Sequence, residues 1–397
     1  MRSLDSDGAN PATITDMHGA PRETLRVEEL RTVESFQAIA REWNELCDRA
    51  IESVPMLRHA FILAWYASFG DGLELRIVLV WEGDTLVAGA PLGFRKERLY
   101  RQDLRVVSLL TNAWVDRSSI LLARADGALV DTILSAVLAS DDQIDVLSLA
   151  PIDENSVVAG LIRESARRNR WPHGEEVMLR SPFLSMPGSW EELLAGLSSS
   201  LRGKVRRHLR QAEQTPGLRI EIVEDASCLS AINSISPETW QAEEGTAMTS
   251  RPEIVDFYRA VIEDAAESGA LRCGLLWDGE TVVAFDFNIR FRNTLHSLKM
   301  GFRSSHSALS AGAILRAYLL RDFIAHPSDG PLEYDFMGTT EPYKLGWTST
   351  VRSHSRHLIF ARKPRLLLTH WIFFGVKPFL RQRAPKLWTK LKQLKRR

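Results

Sequence analysis

The chain has 397 residues, of which 45% are apolar and 25% charged, and its formal net charge is zero. This length exceeds one ordinary hydrophobic core and predicts a globular protein of two domains with extensions. The three cysteines, Cys47, Cys228 and Cys273, are far apart and form no CxxC pair, which argues against a disulfide framework or a zinc site and fits a reducing cytosol.

The first half of the chain begins with a polar segment and continues with alternating helical and strand patterns. Residues 1–24 contain no apolar run that would serve as a signal peptide, and we predict a disordered lead-in to a cytoplasmic protein. Helical patterns follow at 33–50 and 57–69. Leu75–Ala88 then reads LRIVLVWEGDTLVA, which predicts a β-hairpin because Gly beside an acid suits a tight turn. A later apolar run at 144–151 predicts another strand.

The hairpin pattern recurs in the second half. Leu271–Ala284 reads LRCGLLWDGETVVA and is identical to Leu75–Ala88 at eight of fourteen positions, with a constant offset of 196 residues. It also follows two helical patterns, at 229–244 and 252–269, and precedes a helix and a strand at 332–338. The repeated order predicts a duplicated α/β chain, each half having a mixed, mostly antiparallel sheet flanked by helices.

Residues 189–214 lie between the two halves and have the pattern of one amphipathic linker helix. Its apolar stripe consists of Leu193, Leu197, Leu201, Val205 and Leu209, and its basic residues are Arg202, Lys204, Arg206, Arg207 and Arg210. The basic face is either an ordinary solvated surface or a wall that attracts anions to an active cleft. We place the first domain at 25–180 and the second, including this helix, at 181–362.

The loop SSHSALSAGA, residues 304–313, joins a predicted strand to a predicted helix in the second half. Small residues let a ligand approach the backbone, and the first N–H groups of a helix have no partner within it. Such a loop can bind a pyrophosphate, although Ser310 can also serve simply as the helix N-cap. The sequence contains neither GxxxxGK[ST] nor GxGxxG, so it indicates no nucleotide P-loop or Rossmann site.

The segment YDFMGTTEPYKLGWTS, residues 334–349, concentrates polar and aromatic side chains where a strand ends. Together with the preceding loop it resembles the GNAT acyltransferase superfamily, and more narrowly the tandem-domain branch that is associated with cellulose and exopolysaccharide biosynthesis and related to Fem-type aminoacyltransferases. The S-P-G motif of that branch matches Ser310, Ala311 and Gly312, with Ala311 in place of proline. The DF-x-G-x-x-x-x-YK-x-x-W pattern falls on Asp335, Phe336, Gly338, Tyr343, Lys344 and Trp347. The first half has no comparable loop and carries Trp114 and Asp116 at that place.

The resemblance implies that an acyl thioester lies between splayed strands, with its pyrophosphate on the small-residue loop, and that an amine attacks the carbonyl directly. The implied catalytic candidates are Asp335, Glu341, Tyr343 and Asp286, the cofactor-binding candidates are Lys299, Ser310, Ala311, Gly312 and Ala313, and the substrate-binding candidates are Lys344 and Trp347. Each has a structural alternative: capping and ion pairing for the acids, and packing for the aromatic residues. His296, His354 and His357 show no metal-ligand pattern, so we predict no metal.

We therefore expect an acyltransferase that uses acyl-CoA, most simply acetyl-CoA, with an amine or hydroxyl of a glycan precursor as the acceptor. Two alternatives stay open: an aminoacyltransferase that uses aminoacyl-tRNA, and a non-catalytic partner of a polysaccharide synthase. Of the two donors, aminoacyl-tRNA is less favoured than acyl-CoA. The sequence indicates no DNA partner.

The C-terminal segment 363–397 predicts a basic amphipathic tail. Glu341 is the last acidic residue, and 15 Lys and Arg follow it, so the first 341 residues carry 35 basic against 50 acidic residues. The apolar run LLLTHWIFFGV at 366–376 has 11 residues, whereas a membrane span needs roughly 20. We expect one of two arrangements. The tail is either a solvated basic segment with a short docking helix, or it is in peripheral contact with a membrane or a polysaccharide synthase.

Overall fold

The structure is a computed structural model, and it describes residues 24–140, 143–327 and 330–383. All but the last residue of the predicted lead-in 1–24, and the end of the predicted tail, lie outside these described residues. The strands are β1 Leu25–Leu30, β2 Glu74–Glu82, β3 Thr85–Leu99, β4 Gln102–Leu109, β5 Leu121–Leu122, β6 Val146–Asp153, β7 His173–Ser185, β8 Leu218–Val223, β9 Leu271–Asp278, β10 Thr281–Phe291, β11 Thr294–Phe302, β12 Glu333–Asp335 and β13 Val351–Phe360. The helices are α1 Val33–Gln37, α2 Ala40–Arg49, α3 His59–Phe69, α4 Gly127–Leu138, α5 Val157–Arg168, α6 Trp190–Gly196, α7 Ser199–Gln214, α8 Cys228–Ile235, α9 Trp240–Glu243, α10 Pro252–Glu267, α11 Ala311–Ala325, α12 Pro342–Leu345, α13 Pro364–His370 and α14 Lys377–Arg383.

These strands form one sheet in the order β1-β2-β3-β4-β6-β13-β7-β12-β11-β10-β9-β8, and β5 pairs with β3. Neighbouring strands run antiparallel except for two parallel pairs, β4 with β6 and β11 with β12. In each half a helix, α4 or α11, connects the two parallel strands, as such pairs require. The predicted fold class, a mixed and mostly antiparallel sheet flanked by helices in a duplicated chain, is confirmed.

The repeated sequence forms the same hairpin twice. Gly83 and Gly279 begin the turns of β2–β3 and β9–β10 with φ of 57° and 58°, a conformation that glycine adopts without strain. The pairing shifts at equivalent places, so that Val87 and Val283, which are 196 residues apart, are the extra residues of two matching β-bulges. The duplication therefore extends to an irregularity of the backbone.

The repeat also includes an edge strand in front of each hairpin, which was not predicted from the sequence. β1 and β8 pair with β2 and β9 in the same register, and each starts with Leu-Arg. Arg26 stacks over Trp81, with 5.3 Å from its guanidinium carbon to the ring centroid, and Arg219 stacks over Trp277 at 4.6 Å. Both strands are only six residues long, so their alternation was too brief to separate from a loop.

The two halves are joined by a shared core and by a crossing strand. Equivalent helices α3 and α10 pack together, and Phe61 meets Phe257 edge to face with ring centroids 5.5 Å apart. β13, from the end of the chain, lies between β6 and β7 of the first half. The predicted domain boundary at 180/181 falls inside β7, which itself connects β13 with β12. The sheet is therefore continuous across the duplication.

The linker is two helices rather than one. α6 ends at Gly196, and the Ser198 side chain accepts a hydrogen bond from the Leu201 N–H to start α7. A serine at this position favours a new helix start over continuation of the old one. The apolar stripe is nevertheless buried as predicted, since Leu193, Leu197, Val205 and Leu209 all belong to one core cluster.

The C-terminal helices dock on the first half. α13 and α14 are joined by a π-helical stretch, Trp371–Val376, and Leu366 is completely buried. The Phe374 ring packs near Tyr100 and Phe360. Among the helices that the structure describes, none is both long enough and apolar enough to cross a membrane. Cys47, Cys228 and Cys273 are buried, and none is in a disulfide.

Candidate functional site

A cleft opens where β11 and β12 stop pairing. Their parallel contact is limited to three residue pairs, from Thr294–Glu333 to His296–Asp335. β11 then continues to Phe302, while the chain after Asp335 turns away from it. The space left between the two segments is a cavity of about 810 Å³, open to solvent on one side. Unpaired strand backbone and a large cavity thus occur together in the second half.

The start of α11 forms one wall of this cleft. Ser310 precedes the helix in the left-handed region, with φ 55° and ψ 38°, and its side chain makes no capping hydrogen bond. Ala311, Gly312 and Ala313 complete the wall. A Cβ on Gly312 would lie 2.6 Å from Sδ of Met300, which also lines the cleft. The Ala313 N–H donates to the Ser310 carbonyl oxygen at 2.9 Å, whereas the N–H groups of Ala311 and Gly312 precede the first helical acceptor and are reached over small side chains.

The opposite wall is the turn that follows β12. Lys344 Nζ donates a hydrogen bond to the Met337 carbonyl oxygen at 2.7 Å and lies 2.7 Å from the Glu341 carboxylate. The Tyr343 side chain is 48% exposed and faces the guanidinium of Arg316 at 5.1 Å from the ring centroid. Burial raises the pKa of Tyr343, so its hydroxyl keeps its proton at neutral pH. This turn is fixed by Lys344 and presents Tyr343 to the cavity.

The structure brings most of the predicted site residues to this one cavity. The predicted residues that line it are Lys299, Ser310, Ala311, Gly312, Ala313, Tyr343, Lys344 and Trp347. The three predicted acids, Asp286, Asp335 and Glu341, do not line it. The loop at the start of α11 is not plugged by its own side chains, and the cavity extends from it to Tyr343.

Asp335 is instead one partner of a buried ion pair between the halves. Arg117 Nε and Nη2 donate to its two carboxylate oxygens at 3.1 and 2.9 Å, and the Met337 N–H donates to Oδ1 at 2.8 Å. Burial alone would raise the pKa of Asp335, but the Arg117 guanidinium outweighs this effect and holds that pKa well below its usual range. With both oxygens occupied, Asp335 positions the turn and is not placed to accept a proton from a substrate.

Asp286 is also removed from the cleft, in a polar network beneath it. Its carboxylate is completely buried, accepts a hydrogen bond from Asn288 Nδ2 at 3.0 Å, and lies 3.8 Å from Arg316 Nη2. Burial raises the pKa of Asp286, since Arg316 compensates only in part. Asp286 therefore balances the charge of Arg316, which lines the cleft, and does not reach a ligand itself.

Glu341 holds the turn and is only partly buried. It precedes α12, accepts a hydrogen bond from the Thr339 hydroxyl at 2.8 Å, and pairs with Lys344. Burial alone would raise the pKa of Glu341, but Lys344 and Thr339 lower it overall. The carboxylate is thus ionised and engaged at neutral pH, which matches the structural alternative for this residue.

Lys299 contacts Thr246 of the second half and Trp114 of the first half. Its Nζ donates to the Thr246 carbonyl oxygen at 3.1 Å and lies 4.9 Å from the ring centroid of Trp114. Burial lowers the pKa of Lys299 to about 8, although nearby Asp116 acts in the opposite direction. Lys299 is consequently a cleft residue that changes its charge close to neutral pH.

The first half contributes residues to this site that sequence reasoning missed. Asp116 Oδ2 accepts a hydrogen bond from the Gly338 N–H at 2.6 Å, Trp114 contacts Lys299, and Arg117 holds Asp335. In the first half, Trp114 and Asp116 stand where the second half has its small-residue loop. This difference is a sequence signal that the first half contributes side chains to the cleft of the second half. Arg316 gave a weaker signal, as a cation in the apolar first half of α11.

The first half has a cavity of its own at the equivalent place. β4 and β6 pair only from Val106–Val146 to Ser108–Ser148 and then diverge. A cavity of about 670 Å³ lies there, lined by apolar residues such as Trp65 and by Arg356. Gly338 lines both this cavity and the cleft of the second half, so the two spaces meet at the Asp116–Gly338 hydrogen bond.

One cluster consists of side chains of the kinds that bind metal ions. His173, Glu175 and His357 lie on neighbouring strands β7 and β13, with their ligand atoms within 4.8 Å of one another. Arg163 occupies the Glu175 carboxylate with hydrogen bonds of 2.9 to 3.0 Å, and His173 Nε2 lies 3.3 Å from His357 Nδ1. The contacts present here account for the cluster without an ion, and the prediction that the protein needs no metal stays a prediction.

Comparisons with known proteins agree with this geometry. A family model described as an acetyltransferase (GNAT) domain matches residues 199–345, the range that contains most of the residues lining the cleft. No curated protein matches the chain at a significant level. The crystal structure of FemX is similar with a TM-score of 0.61 at 9% identity, over 86% of this chain and 100% of FemX.

Two further solved structures share the fold. One is the C-terminal DUF2156 domain of a predicted lysylphosphatidylglycerol synthetase from Agrobacterium fabrum, with a TM-score of 0.51 at 9% identity over 86% of this chain and 98% of that domain. The other is a conserved protein of unknown function from Bacteroides thetaiotaomicron, with a TM-score of 0.50 at 11% identity over 85% of this chain and 100% of that one. The chain thus carries a GNAT domain at residues 199–345, and it shares its fold with FemX and with these two structures.

Proposed function

We propose that the protein transfers an acyl group from acyl-CoA to an amine or hydroxyl of an acceptor molecule. The observation that carries this proposal is the cleft of about 810 Å³ that joins the start of α11 to Tyr343. The first-turn N–H groups of α11 and the helix dipole suit the pyrophosphate of a CoA donor. Beyond His296, β11 no longer pairs with β12, and its backbone N–H groups on that side suit the acyl carbonyl oxygen.

In the proposed reaction the acceptor amine attacks the thioester carbonyl directly. A bond forms between the amine nitrogen and the acyl carbon, and the carbon–sulfur bond breaks. Tyr343, whose hydroxyl is protonated at neutral pH because burial raises its pKa, gives its proton to the departing thiolate. Lys299, neutral in part near its pKa of about 8, takes the proton released by the amine. The two transfers balance, and the Tyr343 and Lys299 protons are exchanged with solvent before the next turnover.

The first-half cavity supports an acceptor that is larger than a simple amine. It meets the cleft at Gly338, and its lining combines the aromatic ring of Trp65 with the cation Arg356, while Arg95 in the same lining pairs with Glu97. Arg356 Nε is buried and lacks a hydrogen-bond partner among the described residues. These features fit an acceptor with an apolar part and an anionic group. A glycan precursor or amino sugar of the cell envelope, including one for exopolysaccharide or cellulose synthesis, meets that description, and its choice rests on the family resemblance.

Thermal unfolding with acetyl-CoA, longer acyl-CoAs and free CoA tests the donor. A ligand present at about 100 times its Kd adds roughly 2.7 kcal/mol to the free energy of unfolding, which gives a measurable rise in Tm. We expect such a rise with CoA and with at least one acyl-CoA. No shift with any CoA species up to millimolar concentration would overturn the acyl-CoA assignment.

A second candidate donor is aminoacyl-tRNA. Lys204 lines the mouth of the cleft, and Arg206, Arg207 and Arg210 are exposed on the same helix α7, which would suit a nucleic-acid backbone. This candidate predicts tRNA binding that weakens steeply as salt rises, with no Tm shift from CoA. Absence of binding to both donors would instead favour a non-catalytic partner of a polysaccharide synthase.

A further inference from the structure

The C-terminal helices form a ridge that is fixed to the first half along its inner side. This ridge comprises residues 364–383, which run from α13 through the π-helical stretch into α14. Thr369 accepts a hydrogen bond from Gln102 Nε2 at 2.7 Å, and His370 Nε2 lies 2.9 Å from the His173 carbonyl oxygen. With Leu366 completely buried, these contacts hold one side of the ridge against the body of the protein.

The outer side of the ridge is apolar and exposed. Leu367, Leu368, Trp371 and Phe379 are 41%, 55%, 61% and 62% exposed. The first three are spaced as neighbours on one face of a helix. Large apolar side chains clustered outside the core of a soluble protein mark an interaction surface, because water contacts such a patch unfavourably. Within the part of the chain that the structure describes, the ridge therefore has an anchored side and an exposed apolar side.

Every charged side chain from residue 363 to residue 383 is a cation. Asp145 pairs with Lys363 Nζ at 2.6 Å and with Arg365 Nη2 at 2.9 Å, at the end nearest the protein body. Arg381 and Arg383 are exposed at the other end. The chain from residue 363 onward contains 11 Lys and Arg and no acidic residue, and its last 14 residues add Leu387, Trp388, Leu391 and Leu394 among six of those cations.

We propose that this ridge docks on an anionic lipid surface, with Trp371 and Phe379 entering the boundary between headgroups and acyl chains. Aromatic and aliphatic side chains on one face, flanked by Lys and Arg, are the combination that interfacial helices use. Each cation near an anionic surface contributes to the attraction, within a Debye length of it. A second copy of this chain is a poorer occupant, since it would bring an equally basic ridge against this one.

Co-sedimentation with vesicles tests the proposal on the full chain. We expect the protein to sediment with vesicles of phosphatidylcholine that contain about one third phosphatidylglycerol, and much less with phosphatidylcholine alone. Raising the salt from about 0.1 to 0.5 M should weaken binding at least several-fold. The double substitution Trp371→Ser/Phe379→Ser should reduce vesicle binding by ten-fold or more. The control Val157→Ser alters a side chain that is 46% exposed on α5, and it should leave binding unchanged.

Three outcomes would overturn the proposal. The first is the absence of wild-type binding to the anionic vesicles. The second is binding that survives Trp371→Ser/Phe379→Ser, because a basic terminus alone would then be responsible. The third is a wild-type dimer, measured by light scattering, that the same double substitution dissociates while vesicle binding stays unchanged. None of these readouts depends on acyl transfer, so they are independent of the proposed enzymatic function.

Discussion

Arg117 and Asp335 form a bidentate, buried ion pair across 218 residues of chain, with hydrogen bonds of 3.1 and 2.9 Å. Arg117 belongs to the first half, and Asp335 ends β12 directly before the turn that carries Tyr343. Since Arg117 also donates to Ser181 Oγ at 2.6 Å, the guanidinium connects three separate segments. The position of the turn over the cleft thus depends on a residue of the other half.

Removing one partner of this pair should be costly, because the other charge stays buried. We expect Arg117→Met to lower the free energy of unfolding by about 3–5 kcal/mol in urea titrations. The double variant Arg117→Met/Asp335→Leu should recover most of that loss, since no unpaired charge remains. Equal destabilisation by the single and double variants would show that the pair is not the origin of the effect.

The same pair predicts how stability responds to acid. The pKa of Asp335 is lowered in the folded protein, so its contribution is complete above the unfolded value of about 4 and is lost as pH falls below it. Urea titrations between about pH 6 and pH 3 should show this loss in the wild type. The loss should be smaller in Arg117→Met/Asp335→Leu, and an identical pH dependence would contradict the assignment.

Lys299 predicts the direction of the pH–rate profile. If its amine accepts the proton from the acceptor, kcat/KM should rise as pH increases through about 8, where the group becomes neutral. Lys299→Met should remove this rise and leave the Kd for CoA nearly unchanged. A Kd for CoA that weakens as pH passes through about 8, with a flat kcat, would instead identify Lys299 as a cation that binds donor phosphate.

Tyr343→Phe separates the proposed acid from simple packing. The substitution removes the hydroxyl and keeps the ring next to Arg316, so kcat should fall by roughly 10²-fold or more while KM changes little. Thiol release from acyl-CoA provides the assay. Tyr318→Phe is the matched control, because Tyr318 contacts Arg321 on α11 and does not line the cleft. Equal activity of both variants would remove Tyr343 from the chemistry.

Gly312→Val tests the wall formed by α11. A Cβ there meets Met300 Sδ, and a branched side chain would push that thioether into the cleft, so CoA affinity should fall at least ten-fold. Gly160→Val is the control, since a Cβ on this helical glycine has no neighbour within 4 Å. Both variants place a β-branched residue in a helix and share that modest cost in stability. Unaltered CoA binding by Gly312→Val would exclude this wall as the donor site.

Local patterns in the sequence were enough to predict the repeated hairpins, the helices that flank them and the two walls of the cleft. The repeated hairpins can be recognised in the sequence because apolar alternation and turn glycines are short-range signals. The loop before Gly312 can be recognised because small residues cluster there. The residues next to each acid in the sequence did not reveal which carboxylates are already paired with other side chains. Asp286 interrupts an apolar strand, which suggested a catalytic acid, yet its partner Arg316 lies 30 residues away on a helix that reads as apolar.

Contacts between the halves escaped prediction for a related reason. The pairing of β13 with β6 and β7, and of Arg117 with Asp335, depends on the register of strands that are distant in sequence. The alternation of apolar and polar residues predicts which face of a strand is buried, but it does not predict which strand lies beside it. The break between α6 and α7 was missed because the apolar stripe continues across it, and only the cap at Ser198 marks the second start.

The place of β13 in the sheet also determines the order in which the protein can mature. During synthesis, β6 and β7 emerge long before Val351–Phe360, so both would present open edges until the last strand leaves the ribosome. The first half cannot finish its own sheet without the end of the chain. A fragment that stops at residue 350 should therefore aggregate, and the duplicated halves, despite their common ancestry in sequence, should fold as one cooperative unit.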